Sequence, residues 1–203
     1  MPLHWTDRLE QRFGSWAVPN LSLLIVALNA SIYALSALKP EFPLALTLEP
    51  ALLMRGEVWR AFTFLFIPPA AGPLAMFFWL YLLYLYARAL EEVWGEFRFN
   101  LFYAVGAAAT VAAALAMGRG LSNVPLNASL FLAFSAVHPD LSILLFFILP
   151  VKVRWLAALV WAGIAWSLLV GSWPTRVALL AGLANYALFF GPRLLAGLRG
   201  RLR

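Results

Sequence analysis

The sequence predicts an all-α integral membrane protein, built as a bundle of six transmembrane helices. Of its 203 residues, 64% are hydrophobic and only 12% are charged, a balance that a water-soluble domain of this length could not solvate. Apolar runs approach the length of about 20 residues that a helix needs to cross a bilayer. The chain has no cysteine, which excludes disulfides, thiolate nucleophiles and cysteine-bound metal ions.

Six apolar segments are assigned as membrane helices. In chain order they cover residues 17–38, 73–90, 99–118, 126–138, 153–172 and 175–191. The fourth segment is too short to face lipid along its whole length. We therefore predict that it lies at the centre of the bundle, ringed by the other helices.

Two further apolar stretches are too irregular or too short to span. Residues 39–72 join the first two helices and contain prolines and charges among apolar residues, unlike a solvated loop. We predict that this loop is inserted in one leaflet as a re-entrant or interfacial segment. Residues 142–150 are expected to lie along the opposite face of the bundle.

The loop charges predict the orientation. An even number of spans places both termini on one side, and ten of the fifteen Lys and Arg residues fall on that side. By the positive-inside rule, that side is cytoplasmic. Residues 1–16 are thus a cytoplasmic amino-terminal segment, 17–192 the membrane domain and 193–203 a basic cytoplasmic tail.

The net charge of the chain, +6, is explained by this membrane topology, so nucleic acid is not an expected partner. Short loops favour a bacterial inner membrane, with the endoplasmic reticulum membrane as the alternative.

Small residues recur at every fourth position in two of the predicted helices. They are Gly106, Thr110, Ala114 and Gly118 in the third helix, and Gly163, Ser167 and Gly171 in the fifth. Such stripes let helix backbones approach closely. We predict tight packing along both, and an alanine-rich composition is the alternative explanation for the third.

Three stretches resemble the rhomboid superfamily, which includes rhomboid proteases, Derlins and inactive rhomboids. Residues 55–69 are similar to its Trp-Arg loop, residues 89–106 to its turn between the second and third helices, and residues 138–159 to its connection between the fourth and fifth helices. The resemblance implies a rhomboid-like six-helix bundle. The motif residues to which it gives structural roles are Trp59, Arg60, Glu91, Gly95 and Arg98.

The same resemblance implies where a serine nucleophile would stand. Rhomboid proteases carry Gly-x-Ser-Gly at the start of the fourth helix, and this motif falls on residues 127–130, which read Asn-Ala-Ser-Leu. Only Ser129 is retained. The family's oxyanion-site His and Asn positions fall on Ala75 and Trp79, and neither supplies the required donor.

No base for Ser129 is visible in the sequence. The family's histidine is missing from the sixth helix, whose polar candidates are Asn185 and Tyr186, both poor bases at neutral pH. His138 lies nine residues beyond Ser129, about 13 Å along a helix, and both lysines lie outside the spans. We therefore predict that Ser129 is a relic whose hydroxyl bonds to a carbonyl one turn back or to a neighbouring helix.

The remaining polar residues have two interpretations each. Asn127 and Asn185 are expected to form interhelical hydrogen bonds. The alternative is that they line a polar cavity, for which Ser129 and Tyr186 are the other candidates. Trp59 and Arg60 are expected to anchor the loop in the membrane interface, with Arg60 binding lipid phosphates, or to contact a substrate. Arg88 is expected to form ion pairs with Glu91 or Glu92 at helical spacing.

The resemblance implies a catalytically inactive rhomboid-like protein, nearer to Derlins than to the proteases. Such a protein would bind transmembrane clients in quality control or trafficking and thin the bilayer locally. Its expected partners are membrane lipids and transmembrane proteins, and no metal ion or cofactor is expected. The alternatives are an intramembrane serine protease using Ser129, and a lipid scramblase or small transporter using a cavity near Asn127 and Asn185.

Overall fold

Helices form in all six segments predicted to cross the membrane. The structure, a computed structural model, describes residues 4–145 and 149–191. Its helices are α1 (His4–Phe13), α2 (Leu21–Leu38), α3 (Pro50–Met54), α4 (Arg60–Thr63), α5 (Pro73–Trp94), α6 (Glu96–Met117), α7 (Val124–Val137), α8 (Val153–Val170), α9 (Trp173–Gly182) and α10 (184–191). Short 3-10 turns cover Gly14–Trp16, Phe42–Ala45 and Phe64–Phe66.

Four of these helices are long and apolar enough to cross a bilayer. Within the described residues they are α2, α5, α6 and α8. The class of all-α integral membrane protein is thus supported. Helix α7 is shorter, and the predicted sixth span divides into α9 and α10 at residue 183. Membrane crossing by these two segments stays a prediction.

Proline and glycine set several of the helix boundaries. Pro73 stands in the first turn of α5, where its missing N–H has no helical partner to lose. Gly95 separates α5 from α6 with φ 82°, a conformation that side chains with a Cβ rarely adopt. Gly118 ends α6 with φ 61° as a left-handed cap. The sharp turn between the second and third predicted spans therefore depends on Gly95.

Helix α7 occupies the centre of the bundle, as predicted. It contacts α5, α6, α8 and α9, and its side chains are buried on several faces, including Leu126, Leu130, Ala133 and Phe134. With 14 residues it is about 21 Å long at 1.5 Å per residue. A helix this short is apolar almost all round because its neighbours, not lipid, cover it.

The loop between α2 and α5 packs against the bundle as a chain of short helical turns. Phe64 and Leu65 are buried, and the Leu65 carbonyl accepts a hydrogen bond from the Tyr103 hydroxyl of α6 at 3.4 Å. Leu48 forms a β-bridge with Leu121. The loop is therefore docked along its length, and its insertion in a leaflet stays a prediction.

The segment after α7 differs from the all-α prediction. Strands β1 (Ser142–Leu145) and β2 (Leu149–Lys152) pair antiparallel, with Ser142 opposite Lys152. Pro150 explains the difference, because proline inside a helix removes a backbone donor and clashes with the preceding turn. Part of the apolar run, residues 146–148, lies outside the described residues.

Only one of the two small-residue stripes forms a packing seam. A Cβ at Gly106 would come within 2.2 Å of Leu126 and 2.7 Å of Asn185, so this glycine is required by close contact of α6 with α7 and α10. Thr110 and Ala114 are buried beside it. A Cβ at Gly163 would have no neighbour within 4 Å. The predicted tight packing is therefore confirmed along α6 and wrong at Gly163 of α8.

Candidate functional site

A lateral groove lies between α5 and α8, with α7 as its floor; we call it the α5–α8 groove. Its volume is about 490 Å³. Trp79 and Tyr86 of α5, Val160 of α8 and Phe131 of α7 line it, and Pro69 of the loop closes one end. The lining is mainly apolar, which suits an apolar ligand or one face of a transmembrane helix.

Two asparagines lie in this groove and differ in their bonding. The amide nitrogen of Asn123 donates to the carbonyls of Leu65 at 2.9 Å and Ile67 at 3.0 Å, so this side chain fixes the end of the loop. Asn127 lies one turn further along α7 and is partly exposed. Its side chain forms no hydrogen bond within the described residues, so its amide is available to a group that enters the groove.

Ser129 is enclosed and its hydroxyl is already bonded. The residue has 0% of its surface exposed, and Oγ donates to the Leu126 carbonyl at 2.7 Å. The predicted bond to a carbonyl one turn back is thus confirmed. His138 ends α7 and packs against Phe134, with ring centroids 5.4 Å apart. Neither water nor a peptide bond reaches Ser129 in this arrangement.

Asn185 and Tyr186 do not join Asn127 in the groove. Asn185 is fully buried, and its Nδ2 donates to the Phe102 carbonyl of α6 at 3.2 Å. Its Oδ1 accepts the backbone N–H of Tyr186 at 2.8 Å, whose ring stacks on Phe190 at 4.7 Å. The expected interhelical hydrogen bond is therefore confirmed for Asn185. The alternative of a cavity shared with Asn127 is wrong for Ser129, Asn185 and Tyr186, which are packed in the interior.

Arg60 holds the loop together and does not face lipid. Nε donates to Glu57 Oε2 at 2.6 Å, and Nη1 donates to the carbonyls of Leu44 and Thr47, both at 3.0 Å. Only 8% of the side chain is exposed. The expected contact with lipid phosphate is therefore wrong for Arg60. Trp59 is half-exposed, and its Nε1 lies 3.4 Å from the Ala45 carbonyl, which leaves it as the predicted interface anchor.

The charged residues near Gly95 form the predicted ion pairs. Arg88 Nε lies 2.8 Å from Glu92 Oε1, and Arg88 Nη1 lies 3.6 Å from Glu91 Oε2. Glu91 is buried and its Oε2 accepts a short hydrogen bond from the Ser22 hydroxyl of α2. The motif glutamate thus ties α2 to α5, a contact that the sequence did not predict because Ser22 lies 69 residues away.

Arg98 has partners that the sequence analysis missed. Its guanidinium contacts Asp7 at 2.6 Å and Glu10 at 3.2 Å. Both acids belong to α1, which lies against the start of α6. Leu9 and Phe13 stand four residues apart in the sequence, as on one apolar face of a helix. This spacing could have indicated an amphipathic helix, but residues 1–16 were predicted only as a cytoplasmic segment. Within this segment, His4–Phe13 forms an amphipathic helix that docks on α6. Its cytoplasmic location stays a prediction.

Acidic and histidine side chains do not cluster in the part of the chain that the structure describes. Within residues 4–145 and 149–191, no group of three or more His, Asp or Glu side chains could hold a metal ion. The fold defines a helical integral membrane protein with a mainly apolar groove between α5 and α8.

The family follows from the sequence match. The chain belongs to the family described as eukaryotic integral membrane protein (DUF1751), whose model matches residues 18–191. No curated protein matches the chain. The family description supports an integral membrane location. It names eukaryotic proteins and gives no support to the bacterial inner membrane that the short loops favoured.

Proposed function

We propose that this protein is a rhomboid-like membrane protein without protease activity, which binds transmembrane client helices in the α5–α8 groove. The observation that carries the proposal is the pairing of apolar groove walls with the unbonded side-chain amide of Asn127. A client helix would pack on Trp79, Tyr86 and Phe131 and present a polar side chain to Asn127. Such a protein would act in membrane-protein quality control or trafficking.

In an apolar bilayer, hydrophobicity alone would not select one client helix over another. A helix gains no hydrophobic free energy on leaving lipid for an apolar groove, so selection depends on packing and interhelical hydrogen bonds. A single bond of this kind contributes about 0.6 kcal/mol on average. Asn127 would therefore favour clients that carry a polar residue at its depth about threefold over wholly apolar ones.

The enclosed serine supports a binding role over proteolysis. A nucleophile needs a base within hydrogen-bond reach and an open path for the scissile carbonyl. Ser129 is bonded to its own helix and has no exposed surface, whereas Asn127, two residues earlier, faces the groove. These contacts support a groove that would bind a transmembrane segment without cleavage by Ser129.

The short central helix supports local thinning of the bilayer. In the proposed six-span bundle, α7 of about 21 Å would stand in a hydrocarbon core of about 30 Å. A lipid that enters the α5–α8 groove would meet α7 at its floor, and the bilayer there would thin toward this shorter helix at a modest cost per ångström of mismatch. A thinner bilayer would lower the barrier for polar client residues to reach Asn127.

Site-directed crosslinking with defined peptides tests the groove. A photo-crosslinking amino acid at Phe131 is compared with one at Leu169, an exposed α8 position outside the groove. The protein is reconstituted in phosphatidylcholine vesicles with a single-span alanine–leucine peptide carrying a central Asn, or Leu at the same place. We expect capture at position 131 above that at 169, and about threefold more of the Asn peptide.

Two variants decide the interpretation of that experiment. Asn127→Leu should remove the preference for the Asn peptide and leave capture of the Leu peptide unchanged. Asn100→Leu, on α6 outside the groove, should leave the preference intact. Equal capture at positions 131 and 169 would contradict a client site in the groove.

A fluorophosphonate probe tests for residual protease chemistry. We expect the wild-type protein and Ser129→Ala to be labelled equally weakly in vesicles. Labelling that is strong in the wild type and lost in Ser129→Ala would restore the protease alternative and overturn the inactive assignment.

A further inference from the structure

A second groove runs along α6 on a different surface of the bundle; we call it the α6 groove. Its larger part, about 600 Å³, lies between the start of α2, the loop and α6. Its smaller part, about 310 Å³, lies under α1. The two parts share Asn100 and Ala104. Together they follow one face of α6 from Phe97 to Leu115, about 27 Å at 1.5 Å per residue.

The polar groups in this groove are already satisfied. Asn100 exchanges two hydrogen bonds with the backbone of Val18, each 3.0 Å long. The Tyr103 hydroxyl lies 3.4 Å from the Leu65 carbonyl. Unlike the α5–α8 groove with Asn127, the α6 groove offers no unbonded amide to a polar client helix. Its walls suit a purely apolar chain.

Helix α1 places positive charge beside this apolar channel. Leu9, Phe13 and Trp16 form the groove wall, and Arg8 and Arg12 lie in the adjacent row, where both are exposed. The Arg12 guanidinium lies over the Phe13 ring at 5.4 Å from its centroid, which brings it to the edge of the groove. Trp16 is 80% exposed, as is typical of an anchor at the membrane interface.

The two arginines keep their charge free for a ligand. The acids of α1, Asp7 and Glu10, are held by Arg98. Arg8 and Arg12 form no ion pair among the described residues, and exposed Glu96 at the start of α6 carries the remaining acidic charge near this end. Arg98 thus holds both acids of α1 and compensates one of their two negative charges. The row that carries Arg8 and Arg12 keeps two exposed positive charges.

We propose that the α6 groove binds one anionic phospholipid, with an acyl chain along α6 and the headgroup phosphate on Arg8 and Arg12. One leaflet is about 15 Å deep, half of the hydrocarbon core, so the channel is long enough for the chain. An amphipathic helix with basic and aromatic residues is the surface that anionic headgroups attract. The lipid would hold α1 to the membrane plane. This site is independent of client binding in the α5–α8 groove.

Lipid retention by the whole protein tests the proposal. The full chain is reconstituted in vesicles of equimolar phosphatidylglycerol and phosphatidylcholine, extracted in mild detergent, and its bound lipid is counted by native mass spectrometry. We expect phosphatidylglycerol to be retained in preference to phosphatidylcholine. Each arginine near an anionic headgroup contributes about fivefold to affinity, so Arg8→Gln with Arg12→Gln should lower the preference by at least about tenfold.

A matched variant controls for net charge. Arg55→Gln with Arg119→Gln removes the same charge from exposed positions outside the groove, and we expect the preference to be unchanged. Equal loss in this control, or equal retention of both lipids by the wild type, would overturn the proposal by showing only diffuse attraction to the surface.

A bulky substitution in the α6 groove tests whether the acyl chain lies there. Ala108→Phe, at an exposed position that lines the groove, should reduce retention of phosphatidylglycerol severalfold. Ala165→Phe, on the exposed face of α8, should not. Unchanged thermal unfolding of both variants in detergent would show that the loss is not one of folding. Normal retention by Ala108→Phe, or capture of the alanine–leucine peptide by a crosslinker at Ala112, would contradict the chain assignment.

Discussion

Two arginines fasten opposite ends of the bundle, and their surroundings differ. Arg60 is buried in the loop, where it donates to two backbone carbonyls and to Glu57. Arg98 stands at the start of α6 with 21% of its side chain exposed, and it holds Asp7 and Glu10, which are each more than a third exposed. Arg60 thus satisfies buried carbonyls inside the loop, whereas Arg98 joins the surface helix α1 to α6.

The difference teaches which end of the bundle is fixed and which can be released. When a buried donor is removed, its carbonyls lose their partner where water does not replace it, so the full desolvation penalty appears. When an exposed partner is removed, water solvates the acids that remain, and the cost is small. The loop end should therefore be rigid, and α1 should be adjustable, as a lipid-bound interfacial helix requires.

The largest effect should come from Arg60→Met. This change leaves the Leu44 and Thr47 carbonyls without their donor and should lower the free energy of unfolding by about 3 kcal/mol. Unfolding in mixed dodecylmaltoside and SDS micelles measures it. Arg55→Met, which removes an exposed arginine of the same loop, is the control and should change little. Equal losses of unfolding free energy for Arg60→Met and Arg55→Met would contradict the structural role of the buried Arg60.

The second largest effect should come from Asn123→Ala. The Asn123 amide is buried and donates to the Leu65 and Ile67 carbonyls, so its loss should cost about 2 kcal/mol in the same unfolding assay. Asn127→Ala, one turn away and without a side-chain hydrogen bond, should stay within about 0.5 kcal/mol of the wild type. A larger loss for Asn127 than for Asn123 would contradict the assigned roles.

A smaller effect is expected for Ser22→Ala at the α1 end. The change removes the hydroxyl that bonds to the buried carboxylate of Glu91 and should cost about 1 kcal/mol. Ser31→Ala removes an exposed hydroxyl that bonds only within α2 and should be nearly neutral. A larger loss of unfolding free energy for Ser22→Ala than for Ser31→Ala would show that the hydrogen bond between α2 and α5 is stabilising. Equal losses would contradict that role.

The smallest effect on global stability should come from Arg98→Gln. We expect a loss below about 1 kcal/mol, since Asp7 and Glu10 remain hydrated. Hydrogen exchange in α1 should nevertheless rise, because the helix loses its anchor on α6. High salt should raise exchange in the wild type and leave the variant unchanged. A loss as large as that of Arg60→Met would show that both ends of the bundle are equally fixed.

The two glycine stripes show where sequence reasoning stops. Gly106 and Gly163 stand in the same small-residue pattern, yet only Gly106 meets neighbouring helices. Small residues at every fourth position indicate that another helix could pack closely against that face. They do not indicate whether another helix lies there. Similarly, the hydroxyl bond of Ser129 was predictable because its acceptor lies in the same helix turn, whereas the acceptors of Arg60 depend on how the loop folds back.

The sequence by itself determined the membrane class, the positions of the six apolar helical segments and the lack of a histidine in the sixth of them. These features depend on composition, on runs along the chain and on which residue types are present. Only the tertiary structure decided that α1 docks on Arg98, that Arg60 faces the loop interior, and that Asn127 and Asn185 lie in different surroundings. Those outcomes depend on contacts between residues as many as 91 positions apart, and neither hydrophobicity nor helical periodicity encodes which distant side chains meet.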